Sequence, residues 1–222
     1  MDNLIIFDFD GVVADSEVPA NQALADLLCE LGCPTTLDDS LARFMGKRTV
    51  DFLPLVAERL GRPLPDSFAE TYRARTHDAL RRDVRPVPGV LGFIEAFSGL
   101  PRCIASSSGR DRLQLCLDAL GIGPLFGCHV YSATEVARGK PHPDIFLLAA
   151  DRLGVAPTDC LVIEDSPSGV TAAVAAGMTV VGLLAASHIR PGHAERLAAA
   201  GAHHVAASFR EVEDVLRGRL AA

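Results

Sequence analysis

The chain has no surplus of positive charge. Its 21 Lys and Arg stand against 28 Asp and Glu, a formal net charge of −7 over 222 residues. A sequence-independent grip on nucleic acid or anionic lipid needs the opposite sign, so neither is an expected partner. A local cluster of cations still suffices for a small anionic substrate. No apolar run reaches the ~18 residues of a membrane span. The start, MDNLIIFDFDG, has no basic stretch and no cleavage site and runs straight into a strand-like segment, so a cytoplasmic location is expected. There is no internal repeat and no low-complexity stretch. The six cysteines (Cys29, Cys33, Cys103, Cys116, Cys128 and Cys160) form no C-x-x-C pair, and no His lies close enough to Cys29 and Cys33 to complete a metal site. They read as small core residues rather than disulfides or zinc ligands.

What is present is a globular balance, 49% hydrophobic and 22% charged, in a length that suits one α/β domain or a core with a small accessory domain. Residues 3–7 are short, β-branched and aromatic, and predict a buried strand. Helical spacing follows at 21–31, 50–60 and 67–82, broken by Gly32 and by Gly61-Arg62-Pro63-Leu64-Pro65. Beyond Arg85-Pro86-Val87-Pro88-Gly89 the pattern alternates. Strands are expected at 103–106, 160–163, 179–184 and 204–206, with helices at 111–120, 145–153, 168–176, 194–200 and 211–220. Alternation of this kind means a parallel sheet covered by helices on both faces. The first strand lies at the chain start, so 18–85 is an all-helical insertion placed to act as a lid over the strand ends, and 1–17 with 86–222 form the core.

Four segments carry chemistry. Asp8-Phe9-Asp10-Gly11 follows the first strand. Alternation puts both carboxylates on one side at its carboxyl edge, where ~4 Å of separation costs ~4 kcal/mol at an effective dielectric near ~20. One must then be protonated or a cation must sit between them. A polar strand end before a turn is the plainer alternative. Glu164-Asp165-Ser166 again sets acids after an apolar strand, with the serines free to cap the following helix. Two acid pairs at two strand ends suit a hard, oxygen-ligated cation, Mg²⁺ before Zn²⁺. Ser106-Ser107-Ser108-Gly109 offers hydroxyls and backbone N–H groups to an anion at a helix start, or is simply a capped turn. Lys140 is followed by Pro141 and Pro143, which fix where its stem begins, though a lone Lys is ordinarily a surface residue. Together they fit phosphoryl transfer: cation and hydroxyls on the phosphoryl oxygens, one carboxylate attacking phosphorus and another handling the proton.

In order and spacing, D-F-D-G-V-V-x-D-S, A-S-S-S-G-R, G-K-P-x-P and I-E-D-S-x-x-G resemble the four motifs of the haloacid dehalogenase superfamily, over essentially the whole chain. The resemblance is strongest to the β-phosphoglucomutase/phosphoglycolate phosphatase-like branch. It implies a Rossmann-like core with an inserted helical cap. It also implies Asp8 as a nucleophile forming an aspartyl-phosphate, and Asp10 as general acid/base. Ser106, Ser107 and Lys140 would hold the phosphoryl group. Asp8, the Asp10 carbonyl and Asp165 would bind Mg²⁺, assisted by Glu164. Asp10 argues against a true dehalogenase, which releases halide without a proton. Phosphonatases carry a lysine three residues after a Met-Gly pair, and after Met45-Gly46 that amine is displaced to Lys47. Mutases carry a cap histidine and arginine where this chain has Ala20 and Thr49. The implied protein is therefore a Mg²⁺-dependent phosphatase for a small phosphorylated metabolite, a sugar phosphate or phosphorylated sugar acid, monomeric or a small homo-oligomer. A phosphosugar mutase and a non-catalytic phosphate sensor are the alternatives. Gly46, Lys47, Arg48 and Arg75 are the expected cap contacts to substrate.

Overall fold

The computed structural model describes residues 3–45 and 49–221. Strand β1 (Leu4–Phe7) is followed by the two-residue strand β2 (Ala14–Asp15). Four helices come next, α1 (Glu17–Glu30), α2 (Leu37–Phe44), α3 (Thr49–Leu60) and α4 (Phe68–Asp83), before the short strand β3 (Arg85–Pro86). The rest alternates: α5 (Val90–Ala96), β4 (Arg102–Ser106), α6 (Arg110–Leu120), β5 (Val130–Ser132), α7 (Asp144–Leu153) and β6 (Cys160–Glu164). It ends in α8 (Pro167–Ala175), β7 (Thr179–Leu183), α9 (His193–Ala199), β8 (His204–Ala206) and α10 (Phe209–Leu220).

Six strands form one parallel sheet in the order β5-β4-β1-β6-β7-β8. Counted along the sheet's own strands this is 3-2-1-4-5-6, the doubly wound order, with the switch point between β1 and β6. Register does the positioning. Phe7 stands opposite Ile104 on β4 and Ile163 on β6, so the carboxyl ends of the three central strands finish level. Strand alternation splits the core in two: Leu4 and Ile6 pack on one face with Ile145, Phe146 and Val170, while Ile5 and Phe7 pack on the other. Phe7 meets Phe93 and Phe126 edge to face at 6.0 and 5.8 Å. Buried on both faces, the central strands read as continuous apolar runs, as parallel strands do.

The insertion has its own apolar cluster, Leu24, Leu27, Leu28, Phe44, Phe52, Val56 and Phe68. Its ends are tied together, because β2 and β3 pair antiparallel, Ala14 opposite Pro86 and Asp15 opposite Arg85. It leans on the sheet domain through α4 against α6, and an exposed ion pair joins Asp38 to Arg190 at 2.9 Å.

Several elements depart from the sequence expectation. Helix α1 begins at Glu17 rather than 21, because Pro19 falls in the first turn, where its missing N–H has no intrahelical partner to lose. Helix α2 was not expected; its signal is the Thr36–Asp39 capping box ahead of it. Helix α5 and strands β2, β3 and β5 are too short to show a period. Cys103, Cys116 and Cys160 are buried, but Cys29 and Cys128 are exposed, so these two are not core residues. No described helix is long and apolar enough to cross a membrane.

Phe7→Ala is expected to cost about 3–5 kcal/mol, read as a lower urea midpoint with an unchanged slope, since a ring wedged between two others leaves a cavity that cannot collapse.

Candidate active site

The level ends of β1, β4 and β6 bring Asp8, Ser106 and Glu164-Asp165 to one point. Asp8 follows directly on β1, its N–H donating to Ile163 O at 2.9 Å. Lys140 arrives from the loop before α7, beyond which its peptide to Pro141 is cis. Its ammonium, only 3% exposed in its side chain, donates to Asp8 Oδ1 at 2.6 Å, Glu164 Oε1 at 2.7 Å and Ala105 O at 3.1 Å. All three of its protons are used. Burial works to lower the Lys140 pKa, but Asp8 and Glu164 outweigh it and hold the ammonium above its ordinary value. Burial pushes the Asp8 carboxyl well above the usual range, with Lys140 opposing.

Glu164 has both oxygens committed. Oε1 takes Lys140, and Oε2 accepts from Ser166 N at 2.7 Å and Ser166 Oγ at 2.9 Å. Ser166 Oγ in turn caps α8 by accepting from Gly169 N. A Cβ on Gly169 would land on the Glu164 carboxylate. Asp165 is raised by burial first and by Glu164 second. His188 Nε2 lies 3.0 Å from Asp165 Oδ2, and His193 Nε2 donates to the Asp165 carbonyl at 2.5 Å. Because Arg196 donates to His193 Nδ1, the proton of His193 sits on Nε2. Burial lowers the pKa of both histidines.

The sequence leaves Asp8 and Asp10 either with one of them protonated or with a cation between them; in the structure each has a basic partner of its own, Lys140 beside Asp8 and Arg112 beside Asp10. Asp10 turns to a different set of partners. Oδ1 accepts from Ser16 Oγ and from Arg112 at 2.7 Å, and Oδ2 from Ser108 Oγ at 2.5 Å. Burial raises the Asp10 pKa, but Arg112 and the two hydroxyls outweigh it and hold the carboxyl below its ordinary value. Each acid has found its own cation. The Asp10 carboxylate therefore stands outside the cluster of Asp8, Glu164 and Asp165, whose oxygens lie within 4.8 Å of one another.

These groups line one end of a cavity of about 610 Å³, together with Ser106, Ser107 and Ser108. Ser106 is buried, its Oγ accepting from Ser108 N at 3.0 Å. Five cavity carboxyls (Asp8, Asp10, Glu17, Glu164, Asp165) face two described cations, Lys140 and Arg112. An all-oxygen cluster with this charge excess fits a hard divalent cation.

Arg75 is not among the residues that line this cavity. It makes a two-point pair with Glu30, 2.7 Å at each contact, on the outer face of the insertion. Gly46, Lys47 and Arg48 lie outside the described residues. Ser187-His188, in the loop after β7 at the sheet's carboxyl edge, reads from the sequence as part of the site's rim, and His188 does line the cavity; Arg112, Glu17 and His193 are among the site residues that escaped the sequence. Arg112 left a signal, since a cation in the first turn of α6 opposes the helix dipole and asks for a counter-charge. Glu17 and His193 gave none that distinguished a cavity wall from the start of a surface helix.

Gly11 holds the turn after Asp10 at φ +84°, and a Cβ there would overlap Asp165 and crowd His188. Gly32 has a similar φ of +82° with nothing nearby. Both Ala variants should lose roughly 1–2 kcal/mol of stability from the backbone alone. Only Gly11→Ala should also weaken divalent-cation binding in calorimetry, by about tenfold or more, because it displaces Asp165, one of the three acids that could hold such an ion.

Comparison with known proteins agrees with this geometry. The family model for haloacid dehalogenase-like hydrolases matches residues 3–177. A Drosophila melanogaster protein described as a probable pseudouridine-5′-phosphatase is 37% identical over 184 residues, 79% of each chain. The crystal structure of a haloacid dehalogenase-like protein of unknown function from Agrobacterium tumefaciens superposes with a TM-score of 0.87 at 39% identity, covering 99% of this chain and all of that one. A hydrolase of the same family from Deinococcus radiodurans, with bound phosphate and sodium, gives 0.82 at 35% identity over 96% and 94% of the two chains. From β1 through α8 the chain carries the family's match without a break, and it belongs to the haloacid dehalogenase-like hydrolases.

Proposed function

We propose that the protein is a Mg²⁺-dependent phosphatase that hydrolyses a small phosphomonoester through an aspartyl-phosphate on Asp8. The observation that carries this assignment is Asp8 at the switch point of the sheet, held against Lys140 with Ser106 and Asp165 on the same cavity wall. The similarity to a probable pseudouridine-5′-phosphatase and to a hydrolase that holds phosphate supports it.

Asp8 Oδ attacks phosphorus and the ester P–O bond breaks, with Asp10 giving its proton to the leaving oxygen. Water then attacks the same phosphorus, gives a proton to Asp10, and the Asp8–phosphorus bond breaks to release inorganic phosphate. In the arrangement described, Asp10 is ionised beside Arg112, the form that accepts the water's proton. Lys140, Ser106 and the Ser107 N–H hold phosphoryl oxygens. Asp8, Asp165 and the Asp10 carbonyl, with Glu164 beside them, are the groups that would hold the metal, and Mg²⁺ bound there would neutralise carboxylate and phosphate charge. Residues 18–85 act as the cap that covers the site and chooses the substrate. Ala20, buried in the cavity wall where a mutase would carry a histidine, offers no proton-handling group, which favours hydrolysis over intramolecular transfer.

Asp8→Asn should abolish Mg²⁺-dependent phosphate release, and retention of full release would overturn the assignment. Mg²⁺ should also raise the thermal midpoint of the unmodified protein, and Asp165→Asn should remove that rise. The ion needs Asp8 and Asp165 deprotonated, and burial holds both pKa values high. The stabilisation should therefore be larger at about pH 7.5 than at about pH 5.

A further inference from the structure

The cavity above Asp8 has a second wall, supplied by the insertion. On α1, Glu17 and Asn21 are one turn apart and share a face. Asn21 Nδ2 donates to Glu17 Oε2 at 2.9 Å, and Asn21 Oδ1 accepts from Ser40 Oγ at 2.9 Å. Asn21 and Ser40 are buried, so this polar strip is set before any ligand arrives. Beside it the same cavity is lined by Phe44, Phe52 and Tyr72. The Phe52 and Tyr72 rings meet edge to face at 5.2 Å, and Phe44 stands 6.3 Å from Phe52. Both described cations of the cavity are engaged by carboxylates, Lys140 by Asp8 and Glu164, and Arg112 by Asp10.

A carboxylate only accepts hydrogen bonds, and the partners it recognises best are O–H and N–H donors. A carboxylate in a confined cavity also repels any second anion brought close to it. An aromatic wall suits the C–H face of a ring or a planar ring, and repays its burial in contact area.

We propose that Glu17, held in place by Asn21, is a specificity-determining residue that receives the hydroxyls of an uncharged ring-shaped leaving group, whose apolar face lies against Phe44, Phe52 and Tyr72, while its charge turns away monoesters carrying a second anionic group. This rests on the phosphatase assignment and narrows it: phosphorylated sugar acids and bisphosphates are poor substrates, and neutral sugar or nucleoside monophosphates are good ones. Among the described residues, the preference is encoded opposite the phosphoryl site by an acid.

The test uses matched pairs, with p-nitrophenyl phosphate as a generic control. Glucose 6-phosphate is set against 6-phosphogluconate, fructose 1-phosphate against fructose 1,6-bisphosphate, and ribose 5-phosphate against its 2-deoxy counterpart. Each is run with Mg²⁺ on the full chain and on Glu17→Gln, comparing kcat/KM ratios within a pair so that a loss of folded protein cancels. The expected result is a preference of about tenfold or more for the neutral, fully hydroxylated member of at least one pair, compressed toward unity in Glu17→Gln. Preference for the doubly anionic members, or ratios that Glu17→Gln leaves in place, would overturn the role of Glu17 while the phosphatase assignment stands. Failure to release phosphate from every compound, the aryl ester included, would overturn that assignment and this one with it.

Discussion

A single buried ammonium decides how the site can be built. Lys140 spends its three protons on Asp8, Glu164 and a backbone carbonyl of β4, so it joins the ends of the three central strands. Taking charges out of water is costly, and the cost is recovered only when geometry and partners are complete. Here they are complete on the Lys140 side and incomplete on the acid side: Asp165 has His188 beside its carboxylate, and burial lifts it and Asp8 together. Space is as constrained as charge. Gly11 and Gly169 lack the carbon that would strike Asp165 and Glu164 respectively, so the backbone can come close enough to enclose the acids.

The two aspartates of the first motif show how neighbours two residues apart are driven to opposite behaviour. Asp8 sits among acids and one lysine, and its pKa rises. Asp10 sits among an arginine and two hydroxyls, and its pKa falls. For the roles proposed this is the reverse of what the first chemical step needs, namely an ionised nucleophile and a protonated acid. On the roles proposed, a cation held by the carboxylate cluster would pull Asp8 back toward its ionised form, and loss of the Arg112 contact would return Asp10 toward the protonated one.

Much of this was legible in the sequence, for identifiable reasons. Parallel central strands bury both faces and so write themselves as apolar runs, and each ends in a polar residue at the sheet's carboxyl edge, as Phe7 gives way to Asp8 and Ile163 to Glu164. Elements of two or three residues, such as β2, β3 and β5, have no period to detect. The partner of Asp10 was not legible, because Arg112 lies about a hundred residues away and only the packing of α6 brings it in. Nor was the fate of Arg75 predictable, since a cation on an amphipathic helix reads alike whether it faces a substrate or, as here, Glu30. Glu17 and Asn21 look like ordinary residues of the first two turns of a helix until α1 is placed over the strand ends.

The pairing of β2 with β3 has a consequence for how such proteins diversify. From the sheet's side the whole insertion is a loop whose two ends meet across one antiparallel bridge, Ala14 to Pro86 and Asp15 to Arg85. The entropic cost of closing a loop grows only with the logarithm of its length, about 0.6 kcal/mol for each doubling. Lengthening, shortening or replacing the insertion is thus nearly free for the sheet, which keeps its register and the level strand ends that carry the acids. On the function proposed, a changed insertion would alter the leaving group accepted without disturbing the residues that hold the phosphoryl group.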